Sequence, residues 1–103
     1  MFARVDMHWV NEGMKDRAAA QISENTASAK KTGDVLLRYQ LWSESDPSKV
    51  ITMSIWKSKE AWEKWREISQ AERGQMPSDS NPFAPPSPWV KIEGDNYEPI
   101  KEV

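Results

Sequence analysis

The chain has 103 residues, a net charge of −2 and charges of both signs interleaved along it, so it reads as one domain without the basic patch that a nucleic-acid partner needs. It has no cysteine, which excludes a disulfide framework and any thiolate metal site. No apolar run approaches the ~20 residues that cross a bilayer, and Met1-Phe2-Ala3-Arg4-Val5-Asp6 lacks the basic start and apolar run of a signal peptide, so a cytoplasmic protein with no membrane partner is expected.

Only 38% of the residues are apolar, yet six are tryptophan. Apolar surface gathered into a few large flat groups suits a small domain that completes its core by dimerising, or one that encloses an aromatic ligand.

In chain order, Phe2 to Val10 has no glycine or proline and reads as a strand. Ala3, Val5, Met7 and Trp9 form one face; Phe2, Arg4, Asp6, His8 and Val10 form the other, with a polar Arg4-Asp6-His8 row. Asn11-Glu12-Gly13 is a turn. Met14 to Lys31 follows as an alanine-rich helix with Met14, Ala18, Ile22, Thr26 and Ala29 on one stripe, and Gly33 as its stop. Val35 to Trp42 is a second strand, with Val35, Leu37, Tyr39 and Leu41 on one face; Tyr39 and Arg38 are possible polar contacts of the site, and which face of the sheet they take is open. The polar run Ser43 to Ser48 is a turn, so the strands around it form an antiparallel hairpin.

From Val50 to Trp56, Ile51, Met53 and Ile55 alternate with Thr52 and Ser54, the period of a strand. From Lys59 the apolar residues fall at Ala61, Trp62, Trp65, Ile68 and Ala71, which is helical spacing. Ser58 sits at the switch as an N-cap, Glu60 places negative charge in the first turn, and Gly74 ends the helix. Gln75 to Pro88 carries Pro77, Pro82, Pro85, Pro86 and Pro88 and cannot be regular structure; it is either a surface loop or an ordered lid whose Phe83 covers a pocket. Trp89 to Glu93 is a last strand, interrupted at Gly94-Asp95-Asn96. Tyr97 to Val103 continues it after a bulge or forms a tail that reaches a partner subunit. The order strand, helix, strand, strand, helix, strand predicts an α+β, ferredoxin-like βαββαβ domain spanning residues 1–103, an antiparallel sheet with two helices on one face.

The run Ile51 to Trp65, ITMSIWKSKEAWEKW, resembles the signature strand and helix of the antibiotic biosynthesis monooxygenase family. Trp56-Lys57-Ser58-Lys59, with Trp65 further on, is similar to the haem-degrading monooxygenase branch. Gly13, Gly33, the hairpin and the Ser87-Pro88 step before the last strand extend the likeness to most of the chain. The resemblance implies a homodimeric α+β barrel: two sheets face to face, helices outside, and a cavity between each sheet and its helices. In the haem-degrading branch the chemistry lies on an Asn of the first strand, a Trp of the second helix and a His about three turns further on. Trp65 matches the Trp. Asp6 stands at the Asn position and Gln75 at or next to the His position, so the axial haem ligand is missing where the branch places it.

A candidate site follows. Asp6 and His8 are candidate bases for a phenol or enol proton, and Trp65 a cavity wall that stacks on a flat substrate. Arg4, Trp62, Phe83 and Gln75 are candidate ligand contacts. The plainer alternatives are a core role for Trp65 and an Arg4–Asp6 ion pair near an edge. Trp56 and Trp62 are expected to cap the sheet edge or fill the dimer interface. The family's cofactor-free members react a deprotonated aromatic ring directly with dioxygen. The expected activity is therefore a cofactor-independent monooxygenase acting on a small aromatic or quinol-type compound, with no metal. The alternatives are a haem-binding or haem-degrading relative, with His8 as an unusual ligand, and a non-catalytic dimeric binding module.

Overall fold

Six elements form where the periodicity changes: β1 (Phe2–Val10), α1 (Lys15–Lys31), β2 (Val35–Trp42), β3 (Lys49–Trp56), α2 (Lys59–Gln75) and β4 (Trp89–Tyr97). The structure is a computed structural model and describes residues 1–77 and 79–98; most of the expected C-terminal extension, 99–103, lies outside these. The strands form one sheet in the order β2-β3-β1-β4, every neighbouring pair antiparallel, and both helices pack on one face. This is the ferredoxin-like α+β fold that the sequence predicts. Among the described residues no helix is long and apolar enough to cross a membrane.

Local chemistry explains the boundaries. Ser58 is extended and its hydroxyl accepts from the Ala61 N–H, 3.1 Å away, which caps α2. Gly13 and Gly33 take φ of 78° and 73°, the left-handed conformation that β-carbons disfavour. Gly74 does not end α2. The helix continues through Gln75 and gives way at Met76, which is extended because Pro77 disfavours the helical conformation in the residue before it.

Cross-strand partners share a face, so the register sorts the side chains. On the helix side β1 presents Phe2, Arg4, Asp6, His8 and Val10, and β3 presents Trp56, Ser54, Thr52 and Val50. Each strand is apolar at both ends and polar in the middle. Two separate core clusters result. Phe2, Ala29, Trp56, Trp62 and Trp65 pack at one end; Val10, Ala18, Ile22 and Val50 pack at the other. Trp56 is therefore a core residue under α2, not a cap on the sheet edge, and Trp62 belongs to the same cluster.

Three details differ from the periodicity. The register between β2 and β3 shifts between Val35 and Leu37. Val35 consequently packs on the helix-side core, whereas Leu37, Tyr39 and Leu41 lie opposite Ile55, Met53 and Ile51 on the face without helices. On α2 the buried residues are Trp62, Trp65 and Ser69; Ile68 and Ala71, expected on that stripe, are exposed because the helix turns them away from the sheet. Strand β4 runs unbroken through Gly94; the irregularity in its pairing with β1 falls instead between Trp9 and Val10.

Candidate active site

Between the two core clusters the helices stand off the sheet, leaving a cavity of about 850 Å³. Its floor is the polar middle of the strands: Arg4, Asp6 and His8 from β1, Thr52 and Ser54 from β3, and Arg38 from β2. The Arg4-Asp6-His8 row thus faces the space between sheet and helices.

Arg4 and Asp6 form an ion pair. The Nε and Nη2 of Arg4 donate to one Asp6 carboxylate oxygen at 3.1 and 2.9 Å, and Nη1 donates to Asn96 Oδ1 at 2.8 Å. The pair lies directly over Gly94, where a β-carbon would collide with both side chains. This glycine provides room for the pair on the neighbouring strand.

His8 is buried and its ring packs on Trp89, centroids 4.7 Å apart. Its Nδ1 is buried and has no hydrogen-bond partner among the described residues. Burial pulls its pKa below the ordinary 6.5, against the opposing pull of the Asp6 charge. Burial thus favours the neutral imidazole.

Trp62 and Trp65 both line the cavity, but not as bare rings. Trp65 packs on Trp56 with centroids 5.2 Å apart, donates from its indole nitrogen to Ser28 Oγ at 3.1 Å, and has the guanidinium of Arg38 over its ring at 5.7 Å. Trp62 packs on Phe2 at 5.3 Å and has Arg4 and Arg66 over its ring at 4.9 and 5.4 Å. Guanidinium groups cover the indoles, as cation–π geometry favours, so the wall is more cationic than an aromatic-lined pocket.

Phe83 lines the cavity too, beneath the Arg73 guanidinium at 4.3 Å. Its segment is tied to both helices. Gln21 of α1 donates to the Pro82 carbonyl at 2.8 Å, Arg17 donates to the Ala84 carbonyl, and Asn81 Nδ2 donates to the Arg73 carbonyl at 3.0 Å. Within the proline-rich stretch, Asn81 to Ala84 thus lie against the cavity. Gln75 is the exception among the candidate residues. It is exposed and does not line the cavity; the α2 residues that do include Trp62, Arg66, Gln70 and Arg73. Gln75 is two positions beyond Arg73, hence turned to the other side of the helix.

Arg38, a possible polar contact whose face the sequence leaves open, lies on the cavity side, and Arg73 joins it there without a sequence-based expectation. Arg38 donates from Nε to Thr26 Oγ1 at 2.8 Å, and Arg73 donates from Nη2 to Asn25 Oδ1. Burial lowers the pKa of both, and the charge of Arg73 lowers that of Arg38 further while Asp6 opposes it; both remain charged. The signal in the sequence was the stripe Trp62, Arg66, Gln70, Arg73 at helical spacing. For Arg38 the only clue was a basic residue inside an otherwise apolar strand.

The position that would carry an axial imidazole, Gln75, is off the cavity. The single histidine of the chain, His8, lies in the floor under Trp89 with Nδ1 enclosed. These residues do not fit an axial haem site. Among the described residues no group of three or more His, Asp or Glu is placed to hold a metal ion.

Residues 1–75 match the family model described as antibiotic biosynthesis monooxygenase. The chain belongs to the antibiotic biosynthesis monooxygenase family. Solved structures give the same fold at low identity. MhuD, a haem-degrader from Mycobacterium tuberculosis solved with two haems in its active site, aligns with a TM-score of 0.74 and 12% identity, over 100% of this chain and 99% of that one. SnoaB, a cofactor-independent oxygenase from Streptomyces nogalater, aligns with a TM-score of 0.68 and 8% identity, over 99% and 95%. No curated protein sequence matches the chain. The stretch matched to the antibiotic biosynthesis monooxygenase family contains the β1 polar row and α2, whereas Phe83, Trp89 and Gly94 lie beyond it.

Proposed function

We propose that the protein is a monooxygenase that oxidises a small phenol- or quinol-type compound with dioxygen and without a resident cofactor, using His8 as the base. The observation that carries this is a buried imidazole, held toward its neutral form by that burial, in the floor of a cavity of about 850 Å³. Family membership supports the reaction class, and SnoaB is a relative in fold that is described as cofactor-independent.

The chemistry balances without an added reductant. His8 takes the phenol proton, and the phenolate formed is stabilised by the surrounding guanidinium charges. The electron-rich ring passes an electron to dioxygen, and the resulting pair combines into a ring hydroperoxide. The His8 imidazolium returns its proton to the peroxide, and loss of water then leaves a quinone: one oxygen atom enters the ring, the other becomes water, and all four electrons that reduce dioxygen come from the substrate. Trp65 and Trp62 hold the wall in place behind Arg38 and Arg4, and Phe83 covers the site. In this reading Asp6 orients Arg4 rather than acting as the base: its Oδ1 accepts from two Arg4 nitrogens.

The active unit is a homodimer. The face opposite the helices carries Val5, Met7, Ile51, Met53, Leu37, Tyr39 and Leu41, the last two about half exposed at 54% and 50%. An apolar sheet face of this kind matches the interface that the family's barrel implies. The cytoplasm is the compartment we assign.

Oxygen uptake by the purified protein with a panel of phenols and hydroquinones tests the reading. Uptake with equimolar quinone formation is expected, and His8→Ala should slow it by roughly 10²–10⁴. Absence of uptake across the panel, with His8→Ala binding the same compounds as well as the parent protein, would overturn it. A Soret shift on titration with haemin would move the assignment to a haem-binding relative.

A further inference from the structure

The cavity holds more positive than negative charge. Arg4, Arg38, Arg66 and Arg73 line it, against Asp6 as the one carboxylate among the described lining residues. Arg4 is committed to that carboxylate. Arg38 and Arg73 have no carboxylate partner among the described residues: their hydrogen bonds go to the neutral oxygens of Thr26 and Asn25. Both are at least half-buried, and the Nε of Arg73 is enclosed with no partner among the described residues. The two terminal nitrogens of Arg38 have no acceptor among the described residues either, so its fork is open. Taking charged groups out of water without a counter-ion is unfavourable. Two cations kept close together in one cavity are worse, unless an anion joins them there.

We infer that the cavity takes a planar aromatic compound carrying a carboxylate, which the guanidinium groups of Arg38 and Arg73 bind. Rings and guanidinium planes in the walls favour a planar ligand. The Arg38 guanidinium lies over the Trp65 ring at 5.7 Å, that of Arg73 over Phe83 at 4.3 Å, and the His8 ring packs on Trp89 at 4.7 Å. The carboxylate is argued from the fork: two parallel N–H donors match two carboxylate oxygens. An anion between the two cations also offsets their mutual repulsion. This inference rests on reading the cavity as the substrate site, but it concerns binding and stands apart from the oxygen chemistry.

Calorimetric titration of the full chain with 6-hydroxy-2-naphthoate and with its methyl ester tests it, with inorganic phosphate as the third ligand. The acid is expected to bind at least about tenfold more tightly than the ester. That preference should fall to under about threefold in Arg38→Gln and in Arg73→Gln, each checked for folding by circular dichroism, and should weaken with added salt. Arg38→Lys keeps the charge without the fork and should recover only part of it; it also serves if the Gln variant does not fold. Equal binding of acid and ester, or a preference unchanged in both Gln variants, would overturn the inference. So would phosphate competing with the acid at equal concentration, which would indicate a general anion site. Acid preference without oxygen uptake would retain the inference while removing the proposed reaction; uptake of oxygen with the ester alone would do the reverse.

Discussion

The His8 and Trp89 rings, on adjacent antiparallel strands, pack 4.7 Å apart at an interplanar angle of 43°. The indole shields the imidazole from water, and Gln21 fixes the indole by accepting from its Nε1 at 2.7 Å. The proposed base is thus tuned by a residue from the last strand. Trp89→Ala should admit water and move the His8 pKa up toward 6.5, which an NMR titration of the single histidine would read directly. Asp6 pulls the pKa up and Arg38 pushes it down, so Arg38→Gln should raise it as well.

The same shift sets a stability dependence. The folded protein disfavours imidazolium, so the unfolded chain binds the proton first as pH falls. Stability from this group is full above pH 6.5 and is lost as pH drops through 6.5 toward the lower folded value, below which it changes no further. Urea denaturation at a series of pH values should show this loss in the parent protein, and His8→Ala should lack this contribution. A rate limited by the base should rise with pH and level off before neutrality.

Gly94→Ala should displace the Arg4–Asp6 pair, since the new methyl group meets both side chains. A cost of about 1–3 kcal/mol is expected for the overpacking. In an Arg4→Ala, Asp6→Ala background the same substitution should cost much less. A double-mutant cycle by chemical denaturation measures the difference; simple additivity would show that the glycine serves something else.

Gln21 joins three elements, donating to the Pro82 carbonyl and accepting from Trp89 while buried on α1. Gln21→Ala should leave two groups unpartnered, at about 1–3 kcal/mol, and should loosen the cover. Faster hydrogen exchange and proteolysis around Asn81 to Ala84, with the sheet amides unchanged, is the expected pattern.

Met53 sits on β3 opposite Val5 and Tyr39, on the face without helices. Light scattering should give a dimer for the parent chain. Met53→Lys should give a monomer with the secondary structure intact; a monomeric parent chain would remove the dimer from the proposal.

The elements themselves were legible because period two and period 3.6 are local properties of the chain. Ser58 as a cap, Gly33 as a stop and the row Arg4-Asp6-His8 all depend on residues within a few positions of one another. Helix α2 overran Gly74 by one residue because Pro77, not the glycine, terminates it. The site was legible only in part. Trp62, Trp65 and Phe83 line the cavity, Gln75 is exposed and does not, Arg38 is a possible contact whose face the sequence leaves open, and Arg73 is not marked in the sequence at all.

The sequence by itself determined the alternation of strands and helices, the polar row on β1 and the tryptophan-rich start of α2, since each is written in neighbouring residues. Tertiary structure alone decided that the apolar set Ile51, Met53 and Ile55 faces away from the helices. It also decided that Arg38 and Arg73 approach the same cavity from β2 and α2, and that Gly94 makes room for an ion pair on β1. Those relations join residues far apart in the chain, and they follow from strand register and helix placement, which fix a side chain's surroundings only after the sheet has assembled.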